Sequence, residues 1–214
     1  MGEILLPKGS PAGTLLIIGE LVLGSGRPDV AVAAIDQRVW QARARTGIEP
    51  VTAPLPLAVA CALERMSGQG SLAELRRALP RYPTASVSKG VRALARAGWL
   101  ASDDPDNLKL ERRTRPGMVA VAAVEAKIDN WRRAARQAIA WVNQVDAAWL
   151  AFPDVYLRNV PRRDPYLSRL GLIGVDGATG AAVAVRRPRS ARARGLGRRL
   201  TEEQVYARWF AALA

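Results

Sequence analysis

Hydrophobic and polar positions along the chain follow two rhythms, and one run organises the rest. Val119-Ala120-Val121-Ala122-Ala123-Val124 is small and β-branched almost throughout, a composition that suits a strand buried on both faces. Charge enters only at its end. Side chains alternate along a strand, so Glu125 and Lys127, two residues apart, take the same side. Asp129 or Asn130 can then cap a helix whose apolar positions Trp131, Ala134, Ala135, Ala138 and Val142 recur at helical spacing, with Arg132, Arg133 and Arg136 off that stripe.

Earlier in the chain, Leu15 to Leu23 and Arg27 to Ile35 are apolar runs joined by Gly24-Ser25-Gly26, a pattern that predicts a β-hairpin. Pro28 is tolerated at the start of the second strand, where a missing ladder donor matters least. Asp29 then opens that strand, and the small residues Ala31 and Ala33 share its face, leaving room in front of the carboxylate. A simple register across the turn sets Leu21 opposite Asp29; a turn bulge would bring in Glu20 instead. Past the central helix, Ala147 to Phe152 reads as a strand ending at Pro153. Tyr166 to Leu170 reads as a short helix after the loop Pro161-Arg162-Arg163-Asp164-Pro165. Gly171 to Val175 and Ala181 to Val185, joined by the turn Asp176 to Gly180, read as a closing hairpin.

The stretch between the two strand regions carries its own pattern. Leu55, Val59, Ala62, Leu63 and Met66 form one helical face that stops at Gly68-Gln69-Gly70. Ser71 and Glu74 form a capping box for a second helix, which Pro80 helps to end. A third helix runs from about Thr84 to Ala97 and stops at Gly98, followed by a strand, the turn Asp103 to Asn107, and a strand at Leu108-Lys109-Leu110. Three short helices and a hairpin resemble a winged helix-turn-helix domain. In that family the third helix enters the major groove, which implies that Ser88, Lys89, Arg92 and Arg96 face phosphates and base edges. The plainer reading is a solvated helix face. Three aspartates at the wing tip would be repelled by phosphate, so the wing is expected to face away from the duplex.

Composition narrows the chemistry. The net charge of +13 and a pI near 11.2 point to a polyanionic partner, most simply nucleic acid, although abundant Ala and Arg can also reflect genome composition. With no histidine, any mechanism needing imidazole is excluded. The single cysteine, Cys61, rules out an internal disulfide framework and fits a reducing compartment. No apolar run is long enough to span a bilayer and no basic-then-apolar leader stands at the start, so a soluble cytoplasmic protein, nucleoid-associated if bacterial, is expected. Seven arginines from Arg186 to Arg199, with Pro188, Gly195 and Gly197, read as a solvated flexible tail, with nonspecific phosphate contact as the alternative. Thr201 with Gln204 can cap a final helix, whose Val205, Trp209 and Phe210 must pack.

Arg27-Pro28-Asp29 at the start of one strand, Glu125-Ala126-Lys127 at the end of another, and a following helix with Gln137 together resemble the PD-(D/E)xK nuclease superfamily. The resemblance covers about residues 14 to 36 and 116 to 187. It implies an α/β (α+β) fold: a restriction-endonuclease-like mixed sheet flanked by helices. Here that sheet carries an inserted winged helix, since almost a hundred residues separate the two acids. Expected boundaries are 1–36 and 116–187 for the core, 37–115 for the insert, and 188–214 for a basic tail and C-terminal helix.

The resemblance further implies phosphodiester hydrolysis with magnesium, or manganese, held by Asp29 and Glu125. Lys127 would position or deprotonate water or stabilise the phosphorane, and Gln137 would orient the lysine or the water. Glu20 is a candidate third carboxylate. Arg132 and Arg133 join the nucleic-acid-binding set. The expected partner is duplex DNA, with no membrane, and a homodimer would supply two scissile sites. A non-cleaving DNA binder on the same scaffold and an RNA-directed nuclease are the alternatives. Taken alone, Glu125 and Lys127 are an ordinary ion pair and Asp29 an ordinary turn aspartate.

Overall fold

A computed structural model describes residues 5–7, 13–161, 163–189 and 193–213. Arg162 of the proline-flanked loop and Arg192 of the arginine run lie outside the described residues. The chain divides into two compact units, one of residues 1–36 and 118–201, the other of residues 37–117 and 202–214.

The first unit is built on a six-stranded mixed sheet. Its strands are β1 (Thr14–Gly19), β2 (Val30–Ile35), β6 (Met118–Ala126), β7 (Ala147–Pro153), β8 (Gly171–Val175) and β9 (Ala182–Arg186), hydrogen-bonded in that order. The β6–β7 and β7–β8 pairs are parallel and the others antiparallel. Parallel neighbours need a crossover, and α5 (Trp131–Ile139) supplies it between β6 and β7 and packs on both. One sheet face buries Val32, Ala34, Ala120, Ala122, Val124, Ala147, Trp149 and Ala151 against Leu5 and Leu6. The Trp149 indole N–H donates to the Leu5 carbonyl at 2.8 Å, so its one polar atom is satisfied there.

Four expectations in this unit need correction. The first hairpin is no three-residue turn: β1 stops at Gly19 and residues 20–29 form the connection. Glu20 has φ 48°, which turns the chain away from the ladder, and Leu21 and Leu23 then bury their side chains. The short helix expected at Tyr166 to Leu170 is a 3-10 turn at Pro165–Leu167. The arginine run is a solvated tail only in part: Arg187, Arg189 and Arg194 are exposed, whereas Arg186, Arg198 and Arg199 are engaged with the fold. Arg186 donates to the Leu167 and Leu170 carbonyls, and Arg198 to the Met118 carbonyl and to Asp146, which lies 3.3 Å away. Arg199 is buried. The helix α6 (Gly195–Ala211) already starts at Gly195, and Thr201, expected as its cap, lies within it and donates to the Gly197 carbonyl.

The second unit holds α1 (Gln37–Arg45), α2 (Pro54–Arg65), α3 (Leu72–Ala78) and α4 (Thr84–Arg96). Its three short strands, β3 (Gln69–Gly70), β4 (Leu100–Ser102) and β5 (Leu108–Leu110), pair in the order β3-β5-β4. Ser71 and Glu74 form the expected capping box: the Ser71 hydroxyl accepts from the Glu74 N–H, and the Glu74 carboxylate accepts from the Ser71 N–H. Gly90 lets α4 approach α2, since a Cβ there would meet Val59 at 2.9 Å. From Glu202 onward, the C-terminal segment belongs to this unit. There Arg43 is fully buried, donating to both oxygens of Glu203 at 2.7 and 2.8 Å with its guanidinium 3.9 Å from the Tyr206 ring.

Candidate active site

Strand register brings the acids together. Val30 lies opposite Val124 in the antiparallel β2–β6 pair, so Asp29, one step before β2, falls opposite Glu125. Opposed residues share a face, and this face also carries Ala31, Ala33, Val121 and Ala123, away from the Leu5 and Trp149 cluster. The Lys127 N–H donates to the Ala151 carbonyl at 3.0 Å, which extends the chain past β6 and keeps the Lys127 side chain on the Glu125 side. The result is a compact triad. Lys127 Nζ stands 2.6 Å from Glu125 Oε1 and 3.5 Å from Asp29 Oδ2. The Asp29 carboxylate also accepts from the Ala126 N–H at 2.8 Å, which locks it to the end of β6.

Glu125 is 1% exposed, and burial pushes its carboxyl above the usual glutamate range. The Lys127 hydrogen bond opposes that shift, nearby Asp29 adds to it, and Arg133 pulls the other way. Lys127 is itself raised above the usual lysine value, first by its hydrogen bond to Glu125 and further by the charges of Glu125 and Asp29. At neutral pH it is therefore an ammonium, and a donor rather than a base.

Two carboxylates on one face are hard oxygen donors, the type magnesium takes from a protein when it keeps water and substrate oxygens in its remaining positions. Glu125 Oε2 is buried with no hydrogen-bond partner, an unfilled acceptor of the kind a divalent cation would satisfy. The residues present fit such an ion. Among the described residues, however, no group of three or more His, Cys, Asp or Glu side chains gathers, so Glu20 is not placed as a third acid. Its part is in the backbone: the Glu20 N–H donates to the Asp29 carbonyl at 3.2 Å, so Glu20 rather than Leu21 stands opposite Asp29.

Asn130 caps α5 from a left-handed conformation, φ 55°, accepting from the Arg133 N–H. Gln137 lies on the same helix, and its Oε1 is buried without a hydrogen-bond partner. Arg132 and Arg133 are exposed on the first turn. In the second unit, Lys89, Arg92 and Arg96 are exposed along α4, while Ser88 is half-buried, donates to the Thr84 carbonyl and accepts weakly from Arg76. Sequence reasoning did not single out Tyr156, whose hydroxyl accepts from the Trp131 N–H at 3.4 Å, or Asp164, which lines a cleft with Trp131. Neither position carries a local signal, because their partners lie more than twenty residues away. No helix is long and apolar enough to cross a membrane among the described residues. No family model matches the chain, and neither a curated protein nor a solved structure matches it.

Proposed function

We propose that this chain is a metal-dependent DNA endonuclease of the PD-(D/E)xK type, with a winged helix-turn-helix as its duplex-holding unit. The observation that carries the reading is the convergence of Asp29, Glu125 and Lys127 from distant parts of the sequence onto one sheet face. Asp29 and Glu125 would hold magnesium or manganese, which when bound supplies Lewis-acid charge at the phosphate and a water of lowered pKa. Lys127, kept protonated by its neighbours, offers its ammonium to the oxygen charge that grows on the phosphorane. Arg133, close enough to Glu125 to bias its titration, adds positive potential beside the scissile position. Gln137, with an open acceptor, is suited to orient a water or the lysine.

Helix, short strand, two helices and a two-strand hairpin, with β5 between β3 and β4, support the winged-helix reading of residues 54–110. Lys89, Arg92 and Arg96 on α4 would then contact phosphates and base edges. β1 ends the six-stranded sheet among the described residues and presents Leu15 and Ile17, 48% and 68% exposed. An apolar strand edge of this kind supports a homodimer, which would place two scissile sites on one duplex.

A second reading has its own observation. Lys127 already bridges both carboxylates, so the triad is also complete as a structural ion cluster in a DNA-binding protein that does not cut. Incubation with magnesium or manganese and duplex, single-stranded and branched DNA, and with RNA, separates the readings. Metal-dependent cleavage of DNA that EDTA stops is the expected result. Binding without cleavage on every substrate would establish the second reading, and cleavage of RNA alone would redirect the first.

A further inference from the structure

Ile128 and Val155 are the two most exposed large apolar side chains among the described residues, at 82% and 77%. One such side chain on a surface is ordinary. These two leave the sheet at the same end. The Lys127 N–H donates to the Ala151 carbonyl, so the parallel strands β6 and β7 run out side by side, with Ile128 directly after Lys127 and Val155 two residues past Pro153. In an open α/β sheet the carboxyl ends of the strands are where ligands bind. The backbone that carries both side chains is pinned. Asn130, at φ 55°, accepts from the Arg133 N–H with its side chain and its carbonyl. Tyr156 lies 5.4 Å from the Phe152 ring, and its hydroxyl accepts from the Trp131 N–H. Around this rim the charge is basic: Lys127 is 28% exposed, and Arg133 and Arg158 are exposed. We infer that Ile128, with Val155 as a second apolar contact, is a wedge that enters a base step of duplex DNA next to the scissile phosphate and favours steps that unstack readily.

The chemistry of the rim selects that ligand. Apolar side chains, isoleucine among them, part stacked bases because side chain and base faces both leave water on contact, and the kink that results lays more of the duplex on the protein. Lys127, Arg133 and Arg158 hold the backbone on either side while the step opens. Asp129, exposed next to Ile128, repels a phosphate at that point and leaves base surface to meet the isoleucine. Glu125 is 1% exposed, so the scissile phosphate has to come in to a recessed acid, and a kinked duplex brings it closer than a straight one does. Pyrimidine–purine steps unstack most easily and carry the preference, whereas A-tracts are stiff. The inference rests on duplex DNA being the partner, and it adds a specificity read through deformability rather than base edges.

Fluorescence of 2-aminopurine and anisotropy of the whole chain with short duplexes, in EDTA where no cutting interferes, test this. One duplex alternates TpA steps and carries 2-aminopurine at a central adenine; the other is an A-tract with the same label. The label brightens when its neighbours unstack. Wild type at saturation should raise the signal several-fold in the alternating duplex and little in the A-tract, and should bind the first several-fold tighter. Ile128→Ala should remove about half of the rise or more, together with most of the affinity difference, while Ile128→Leu, which keeps an apolar wedge, should retain both. Val155→Ala should lose a smaller share. All three changes fall at exposed positions, so the fold is not threatened. A full rise in Ile128→Ala, or wild-type binding with no rise on either duplex, would overturn the wedge and leave the nuclease reading standing. Ile128→Ala with a full rise but altered sedimentation would assign the rim to a second copy of the chain instead. A wild type that binds neither duplex removes both readings.

Discussion

Lys127 Nζ lies 2.6 Å from Glu125 Oε1, with the carboxylate side chain 1% exposed and the lysine side chain 28% exposed. The pair is asymmetric: the acid is shut away from water and the amine keeps a solvent path. Burial raises the carboxyl, and the hydrogen bond to Glu125 raises the ammonium. A raised acid favours the protonated folded state. Its contribution to stability is therefore full below the ordinary value of 4.5 and is lost as pH rises through the raised one. In EDTA, the wild type should lose stability relative to Glu125→Gln as pH climbs from about 4.5, and the difference should level off once the carboxyl is ionised. Urea titrations across that range check this, and a constant difference would mean that Glu125 is not held in a raised state. The Lys127 contribution runs the other way along the scale: it is intact below 10.5 and is lost only as pH rises through the raised lysine value.

Asp29→Asn and Lys127→Ala should each reduce cleavage by about a hundredfold or more, as removal of a group that stabilises transition-state charge does. Duplex binding should change by less than about threefold, since neither residue belongs to the exposed arginine set. Single-turnover cleavage and anisotropy on the same preparations separate the two effects. Normal cutting by both variants would remove the site assignment.

Arg92→Ala with Arg96→Ala should act on binding instead. Removing an arginine that neutralises a phosphate lowers the slope of log K against log salt by about one, so the double variant should flatten it by up to about two. Affinity should fall at every sequence if these arginines meet phosphate, and selectively if one reads a guanine edge. An unchanged slope would take α4 off the interface.

These residues also mark what the sequence made legible. The Glu125-Ala126-Lys127 strand end could be read because alternation and apolar runs are local signals, and the capping box of Ser71 and Glu74 because its two members stand three positions apart. Register could not. The position of Glu20 depends on a left-handed turn at its own φ of 48° and on burial of Leu21 and Leu23 beyond it, neither of which short-range spacing encodes. Arg186 and Arg198 looked solvated because their acceptors, the Leu167 and Met118 carbonyls and Asp146, lie far off in sequence. α1 was missed for a related reason: seven of its nine residues are polar or alanine, and the arginine it buries has its partner 160 positions away.

The edge of β1 gives a prediction about assembly. Ile17 is 68% exposed on a strand that ends the sheet among the described residues, and a lysine there would set two like charges near each other across a β1–β1 pairing. Ile17→Lys should shift the chain from dimer to monomer in sedimentation equilibrium and leave its far-ultraviolet circular dichroism unchanged. A wild type that is monomeric at tens of micromolar would remove this edge as an interface.

Arg43 and Glu203 give the sharpest stability test, because both are sealed from water at 1% and 0% exposure. Truncating one partner strands the other charge, which costs about 3–5 kcal/mol for buried pairs. Glu203→Ala should approach the upper part of that range. It leaves the Arg43 guanidinium with the Glu49 carbonyl as its remaining hydrogen-bond acceptor and also strips the Val51 N–H of its acceptor. Arg43→Lys keeps the charge but loses the two-oxygen fork and the flat packing on Tyr206, so it too should destabilise, by less. Replacing both by leucine removes the stranded charge, yet the Val51 N–H stays unpaired while the Glu49 carbonyl keeps the Trp99 indole N–H, so the double variant should fall between wild type and Glu203→Ala. Urea denaturation of the four chains checks that order. If Glu203→Ala and the double variant are equally stable, the penalty lies in the orphaned Val51 N–H and not in the buried guanidinium.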